Sequence, residues 1–159
     1  MGTACDLENF VMKKILYLDM DNVLVDFPSA FARLPEATLS EYEDNEDEIP
    51  GVFALMDPMP GAVDAFNSLA EVFDVYLLST APWENPSAWS DKLEWVKKHL
   101  GEKARKRLIL SHHKNLNHGD FLVDDRDKNG AGEFTGTLIT FVPKVTSWPD
   151  LVEELIAQA

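Results

Sequence analysis

Apolar residues come in short blocks along this chain, and between the blocks they recur at helical spacing. Lys14-Ile15-Leu16-Tyr17-Leu18 is the first block. Val75-Tyr76-Leu77-Leu78, Leu108-Ile109-Leu110, Phe121-Leu122-Val123 and Leu138-Ile139-Thr140-Phe141 follow. Short apolar runs closed by polar or turn residues read as strands buried on both faces. After Pro60-Gly61, the positions Val63, Phe66, Leu69 and Phe73 predict a helix. Ser87 is the expected N-cap of the next one, with Trp89, Leu93, Val96 and Leu100 as its apolar stripe and Gly101 as its stop. Trp148-Pro149-Asp150 opens a last helix carrying Leu151, Val152, Leu155 and Ile156. Strands alternating with amphipathic helices predict an α/β fold: a Rossmann-like parallel sheet with helices on both faces.

One stretch breaks the alternation. Residues 28–57 contain Pro35 and Pro50, and from Glu41 to Glu48 six of eight positions are acidic. This reads as a small, partly helical cap insertion after the first strand, its acidic run a solvated face. The expected division is an N-terminal extension at 1–12, an α/β core at 13–27 and 58–159, and the cap at 28–57.

The bulk numbers narrow the partners. The 159 residues suffice for one core, and 45 % of them are apolar. A net charge of −14 opposes binding to a nucleic acid polymer or an anionic membrane. It allows a small phosphorylated substrate, because a metal ion and one lysine reverse the field locally. The single cysteine, Cys5, excludes an internal disulfide and fits a reducing, cytoplasmic setting. No apolar stretch approaches the ~18 residues of a membrane span, and the N-terminus lacks the pattern of a secretory signal. A homodimer is compatible with all of this.

The chemistry gathers at strand ends, where ligands bind in parallel α/β sheets. Asp19 and Asp21, two apart after the first strand, send both carboxylates to one face and suit a hard cation such as Mg2+. Ser79-Thr80 ends the second strand and offers hydroxyl donors to a phosphate. Asp124-Asp125 ends the fourth, and burying two adjacent acids requires a cation. Lys114 precedes that pair by ten residues and can neutralise phosphate oxygens. Two other signals fail. Asp125 to Gly130 imitates half of an EF-hand loop, but Gly136 stands where the closing Glu is needed. His112, His113 and His118 lack a regular ligand spacing.

The segment Asp19-Met20-Asp21-Asn22-Val23-Leu24-Val25-Asp26-Phe27 resembles the first motif of the haloacid dehalogenase superfamily, and most closely that of its 5'(3')-deoxyribonucleotidase family. Pro58-Met59-Pro60-Gly61-Ala62 is similar to that family's return into the core. Ser79, Lys114 and Asp124-Asp125 fall at its second, third and fourth motifs, in order across residues 14–130. Asn22 replaces the usual glycine, and His112 stands where arginine is usual. The resemblance implies a Mg2+-dependent phosphomonoesterase that hydrolyses nucleoside monophosphates through an aspartyl-phosphate; a phosphatase of sugar phosphates or other small esters is the alternative. By the same resemblance Asp19 is the nucleophile and Asp21 the acid and base. Magnesium is held by Asp19, the Asp21 backbone carbonyl and Asp125, with Asp124 supporting. Ser79 and Thr80 bond the phosphoryl oxygens, and Lys114 stabilises both partners. Phe27 lies against the base, and Phe53 and Trp83 are candidates for further walls. A receiver-type domain also combines acids, a hydroxyl and a lysine, but an acidic pair after the lysine does not suit its order.

Overall fold

The computed structural model describes residues 12–159; all but the last residue of the expected extension, Cys5 included, lies outside them. Seven strands are present among the described residues: β1 (Ile15–Leu18), β2 (Val25–Asp26), β3 (Asp57–Pro58), β4 (Asp74–Ser79), β5 (Leu108–Leu110), β6 (Phe121–Asp124) and β7 (Thr137–Thr140). Five form one parallel sheet in the order β5-β4-β1-β6-β7. The chain therefore builds outward from β1 to β4 and β5, then crosses to β6 and β7 on the other side. The reversal of direction falls beside β1, and a crevice opens there at the carboxyl ends of the strands.

Alternation along each strand divides the core. Leu16, Leu18, Val75, Leu77, Phe121 and Val123 face the larger cluster, which holds α2 (Ala62–Val72), α3 (Pro86–Leu100) and α4 (Trp148–Ile156). Tyr17, Leu78 and Leu122 face the other way, onto Ala131 and Phe134 around a single 3-10 turn, Ala131–Glu133. Helical cover thus exists on both faces but is very unequal. The β6–β7 connection supplies only that turn.

Three sequence readings need correction. The fifth strand ends at Thr140, so Phe141 leaves the sheet and packs on Trp148, ring centroids 5.1 Å apart. Asn85, not Ser87, precedes α3. Ser87 Oγ donates to Asn85 Oδ1 (2.6 Å) and accepts the Gly51 N–H (2.9 Å), while Asn85 Nδ2 donates to the carbonyls of Asp47 and Ile49. These polar side chains bind the insertion to the helix instead of capping it. Finally, α3 buries Ala88, Lys92, Trp95, Val96 and Leu100, whereas Trp89 and Leu93 stay partly exposed. Those two line an apolar groove of about 870 Å³ beside Leu108 and Leu110, at the sheet edge and away from the acidic motifs.

The insertion rises from an antiparallel ribbon too short to read from sequence, Val25 opposite Pro58 and Asp26 opposite Asp57. It holds 3-10 turns and one short helix, α1 (Glu36–Glu41). Ile49, Val52, Phe53 and Met56 are buried in the main core, and Trp95 Nε1 donates to the Met56 carbonyl at 3.0 Å. The later part of the insertion, from Asp47 to Met56, is therefore packed onto α3 and its N-terminus.

Candidate active site

β1 delivers Asp19 to the crevice, and the chain then turns sharply. The N–H groups of Val23, Leu24 and Val25 all converge on the Met20 carbonyl. Asn22 sits in the left-handed region (φ 62°), a conformation asparagine tolerates better than most residues. From β6 come Asp124 and Asp125. Carboxylate oxygens of Asp19, Asp124 and Asp125 lie within 4.8 Å of one another. Lys114, 3 % exposed, donates from Nζ to Asp19 Oδ1 (3.0 Å) and Asp124 Oδ2 (2.6 Å).

Three carboxylates crowd one buried ammonium, with Arg126 and Lys128 also bordering the cavity. Burial, with Asp124 and Asp21 nearby, pushes Asp19 well above the ordinary carboxylate range in spite of Lys114. Burial and Asp124 likewise raise Asp125. Burial alone would depress Lys114, but Asp19 and Asp124 outweigh it and keep the ammonium charged. A small cavity of about 30 Å³ lies among Asp19, Asp124, Asp125 and Lys114. That is room for a small ion or a water molecule. Hard oxygen donors, three crowded carboxylates and this cavity fit Mg2+.

The geometry adds a residue that the sequence reading missed. Lys92, 1 % exposed, donates from Nζ to Asp21 Oδ2 (2.8 Å) and Ser79 Oγ (3.0 Å). Its ammonium lies 4.4 Å from the centroid of the Phe53 ring. In sequence it is one of several lysines on a helix; its only signal is its place on the stripe Ala88-Lys92-Trp95-Val96. Lys92 draws the Asp21 carboxylate toward α3, apart from the three clustered acids. Asp21 Oδ1 is buried with no hydrogen-bond partner among the described residues.

The expected hydroxyls are separated by one pleat. Ser79 is fully buried, its Oγ engaged by Lys92, while Thr80 lines the small cavity and donates to the Ser111 carbonyl at 2.7 Å. Of the expected aromatic walls, Phe27 and Trp83 line an outer crevice of about 670 Å³ continuous with Asp21 and Asp125. Phe53 does not. It is buried beneath Lys92 and edge-on to Phe27, so it acts as a floor for the ammonium and not as a wall. The acidic run also departs from a merely solvated face. Asp44, Glu46, Asp47 and Glu48 line that same crevice.

The loop after β6 braces Lys114. Its N–H donates to the Asn129 carbonyl at 2.7 Å, and Gly130 (φ 82°) passes so close that a Cβ there would meet Asn115 Oδ1 and stand 2.9 Å from the Lys114 nitrogen. Gly130→Ala is expected to cost about 1–3 kcal/mol through backbone strain and this collision. It should also lower turnover by displacing Lys114. Chemical denaturation and a phosphatase assay check the two effects together.

Residues 35–148 match the family described as 5' nucleotidase, deoxy (pyrimidine), cytosolic type C. A Vibrio phage KVP40 protein named as a 5'(3')-deoxyribonucleotidase is 53 % identical over 147 residues, covering 92 % of this chain and 86 % of its own. One from Bordetella bronchiseptica is 31 % identical over 137 residues, covering 70 % and 74 %. Among solved structures, a haloacid dehalogenase-type hydrolase of Bacillus subtilis bound to magnesium superposes with a TM-score of 0.62 at 13 % identity, covering 91 % of this chain and 99 % of that one. This last likeness is one of fold.

Proposed function

From the premise that the chain belongs to the 5'(3')-deoxyribonucleotidase family of haloacid dehalogenase-like hydrolases, and so hydrolyses phosphate monoesters, we propose that it is a Mg2+-dependent nucleotidase working through an aspartyl-phosphate on Asp19. The observation that carries this reading is the cluster of Asp19, Asp124 and Asp125 around buried Lys114 beside the sheet's point of reversal.

Magnesium would be held by the Asp19 and Asp125 carboxylates and the Asp21 backbone carbonyl, with Asp124 supporting, and would supply positive charge to the transferring group. An Asp19 carboxylate oxygen forms a bond to phosphorus, and the ester P–O bond breaks. Asp21 gives its proton to the departing alkoxide. A water then attacks phosphorus, Asp21 takes its proton, and the bond from phosphorus to Asp19 breaks to release phosphate. Asp21 Oδ2 is fixed by Lys92, which leaves Oδ1 to carry the proton. Lys114 offsets the repulsion between the Asp19 carboxylate and a phosphate dianion. Two like unit charges at ~4 Å repel by ~4 kcal/mol at an effective dielectric of ~20. Thr80 borders the small cavity and can donate to a phosphoryl oxygen by exchanging its bond to the Ser111 carbonyl, with Ser79 acting from beneath through Lys92. Phe27 and Trp83 flank the base of a nucleoside monophosphate in the outer crevice. A cytoplasmic location fits the single cysteine.

EDTA is expected to silence turnover, and added magnesium to restore it. Because burial raises Asp19 and Asp125, protons compete with the metal. The magnesium concentration for half-maximal activity should therefore rise as the pH is lowered below neutrality. Full activity in chelator with metal loss confirmed, or a pH-independent requirement, contradicts the assignment. Rates on sugar phosphates that match or exceed those on nucleoside monophosphates would replace nucleotidase by general phosphatase.

A further inference from the structure

The three clustered acids are not held alike. Asp19 Oδ1 accepts from Lys114 Nζ. Asp124 is held at both oxygens, Oδ2 by Lys114 Nζ and Oδ1 by the Arg126 N–H at 3.0 Å. Asp125 has one hydrogen-bond donor among the described residues, the side-chain amide of Asn22, with Nδ2 3.5 Å from Asp125 Oδ2. Asp19 and Asp124 are buried, whereas Asp125 is half-buried and borders the outer crevice. The adjacent Asp124 carboxylate repels it. The last torsion of an aspartate is soft. Without a donor, the Asp125 carboxylate would relieve this crowding by turning toward the water of the crevice.

The turn after β1 aims that amide. The Asn22 N–H donates to the Val25 carbonyl at 2.8 Å, and the next three N–H groups close on the Met20 carbonyl, so the backbone there has little freedom. The turn requires φ 62° at Asn22. Glycine takes that conformation without steric cost. Asparagine is among the few other residues that tolerate it, and it brings a donor that glycine lacks. The side chain stands at a junction, since Asn22 lines the reactive cavity, the outer crevice and a third cavity of about 640 Å³ that reaches Trp148. Its bond to Asp125 joins the turn after β1 to the end of β6, across the point where the sheet reverses. At 3.5 Å the bond is long, and a small rotation of either side chain shortens it. With Oδ2 engaged, Oδ1 is left for a cation.

We infer that Asn22 is a positioning residue for the metal site: its amide holds the Asp125 carboxylate in the convergent arrangement with Asp19 and Asp124 that one divalent cation needs. This rests on the Mg2+-dependent reading of the site and names the residue that steadies the least supported of its acids. A hydrogen bond to a metal ligand orients it, and removing the partner typically lowers metal affinity by about 10–100-fold. The role has a particular signature. Magnesium affinity falls, while the rate at saturating magnesium changes little, because enough cation draws Asp125 into place without the amide.

Asn22→Gly tests this. It deletes the amide and keeps the turn, since glycine adopts the left-handed backbone freely. Magnesium binding to parent and variant is measured by calorimetry without substrate, and the thermal midpoint of each is read in EDTA and in magnesium. Binding to the variant should be weaker by about tenfold, the lower end of the usual range for such a loss. The rise in midpoint on adding magnesium should shrink. The midpoint in EDTA should stay close to the parent's, because relief at the left-handed position and the greater freedom of unfolded glycine oppose each other. In a phosphatase assay the half-saturating magnesium concentration should rise by the same factor with kcat at saturation little changed. Equal magnesium affinity in the two proteins overturns the inference. So does a loss of affinity accompanied by a clearly lower midpoint in EDTA, which would make Asn22 a residue of the fold alone. A parent that binds no magnesium would instead remove the Mg2+ reading of the site, and the inference with it.

Discussion

An Asp19→Asn variant is expected to lose turnover by on the order of 10⁴-fold or more, the scale seen when a nucleophile is removed from a cooperating set. The substitution is nearly isosteric. The amide oxygen can still accept from Lys114 Nζ, which lies 3.0 Å from Asp19 Oδ1 in the parent. The fold should not suffer, and the sign of the stability change is itself a prediction. Burial raises Asp19, so at neutral pH its ionised form is less welcome in the folded state than in the unfolded one. The charge therefore costs stability above the unfolded carboxylate range, and that cost fades as falling pH protonates the group. Asparagine removes it. In EDTA at neutral pH the variant should melt no lower than the parent and most plainly above it, while the stabilisation conferred by magnesium shrinks. Melting and phosphatase assays on the same preparation read both effects. Loss of activity accompanied by unfolding would attribute the effect to structure, and retention of more than a few per cent of turnover would remove Asp19 as nucleophile.

Lys92→Met carries the second large effect. Methionine keeps the length of the side chain and its packing on Phe53, but releases Asp21 Oδ2 and Ser79 Oγ. Asp21 lines the crevice and can turn toward water, so the uncompensated charge should not unfold the protein. A positioned acid and base contributes roughly 10²–10⁴-fold to a rate, and kcat should fall toward that extent once Asp21 is no longer held. The signature lies in the leaving group. A nucleoside alkoxide needs a proton as it departs, whereas p-nitrophenolate does not. The loss should be much greater with a nucleoside monophosphate than with p-nitrophenyl phosphate. An equal loss on both would assign Lys92 to phosphate binding or to packing.

What could be read in the sequence follows from what burial does to composition. The five sheet strands stand out because each is covered at least partly by apolar neighbours, and Asp19, Ser79 and Asp124 stand out because each closes such a run. Lys114 gains meaning only through its neighbours in that order. Lys92 was hidden for the opposite reason. Ser90-Asp91-Lys92 looks like a solvated helix face, and nothing local says that Asp21 and Ser79 wait beneath it. The stripe through Trp89 and Leu93 looked more apolar than the buried one, because the buried one contains this lysine. The ribbon of β2 and β3 has two residues per strand, too few to show a period. The acidic run is legible as polar, but which space a polar loop borders is decided by tertiary contacts such as those of Asn85.

The central claim is that acids from β1 and β6 share one divalent cation while Asp19 receives the phosphoryl group. A crystal structure of the protein grown with Mg2+ and beryllofluoride, a mimic of a carboxylate-bound phosphoryl group, tests it most directly. The account predicts beryllium bonded to an Asp19 carboxylate oxygen, one magnesium ligated by both Asp19 and Asp125, and Lys114 donating to the mimic. A magnesium ion that touches only one of the two strands' acids, or a mimic seated anywhere other than Asp19, would contradict it.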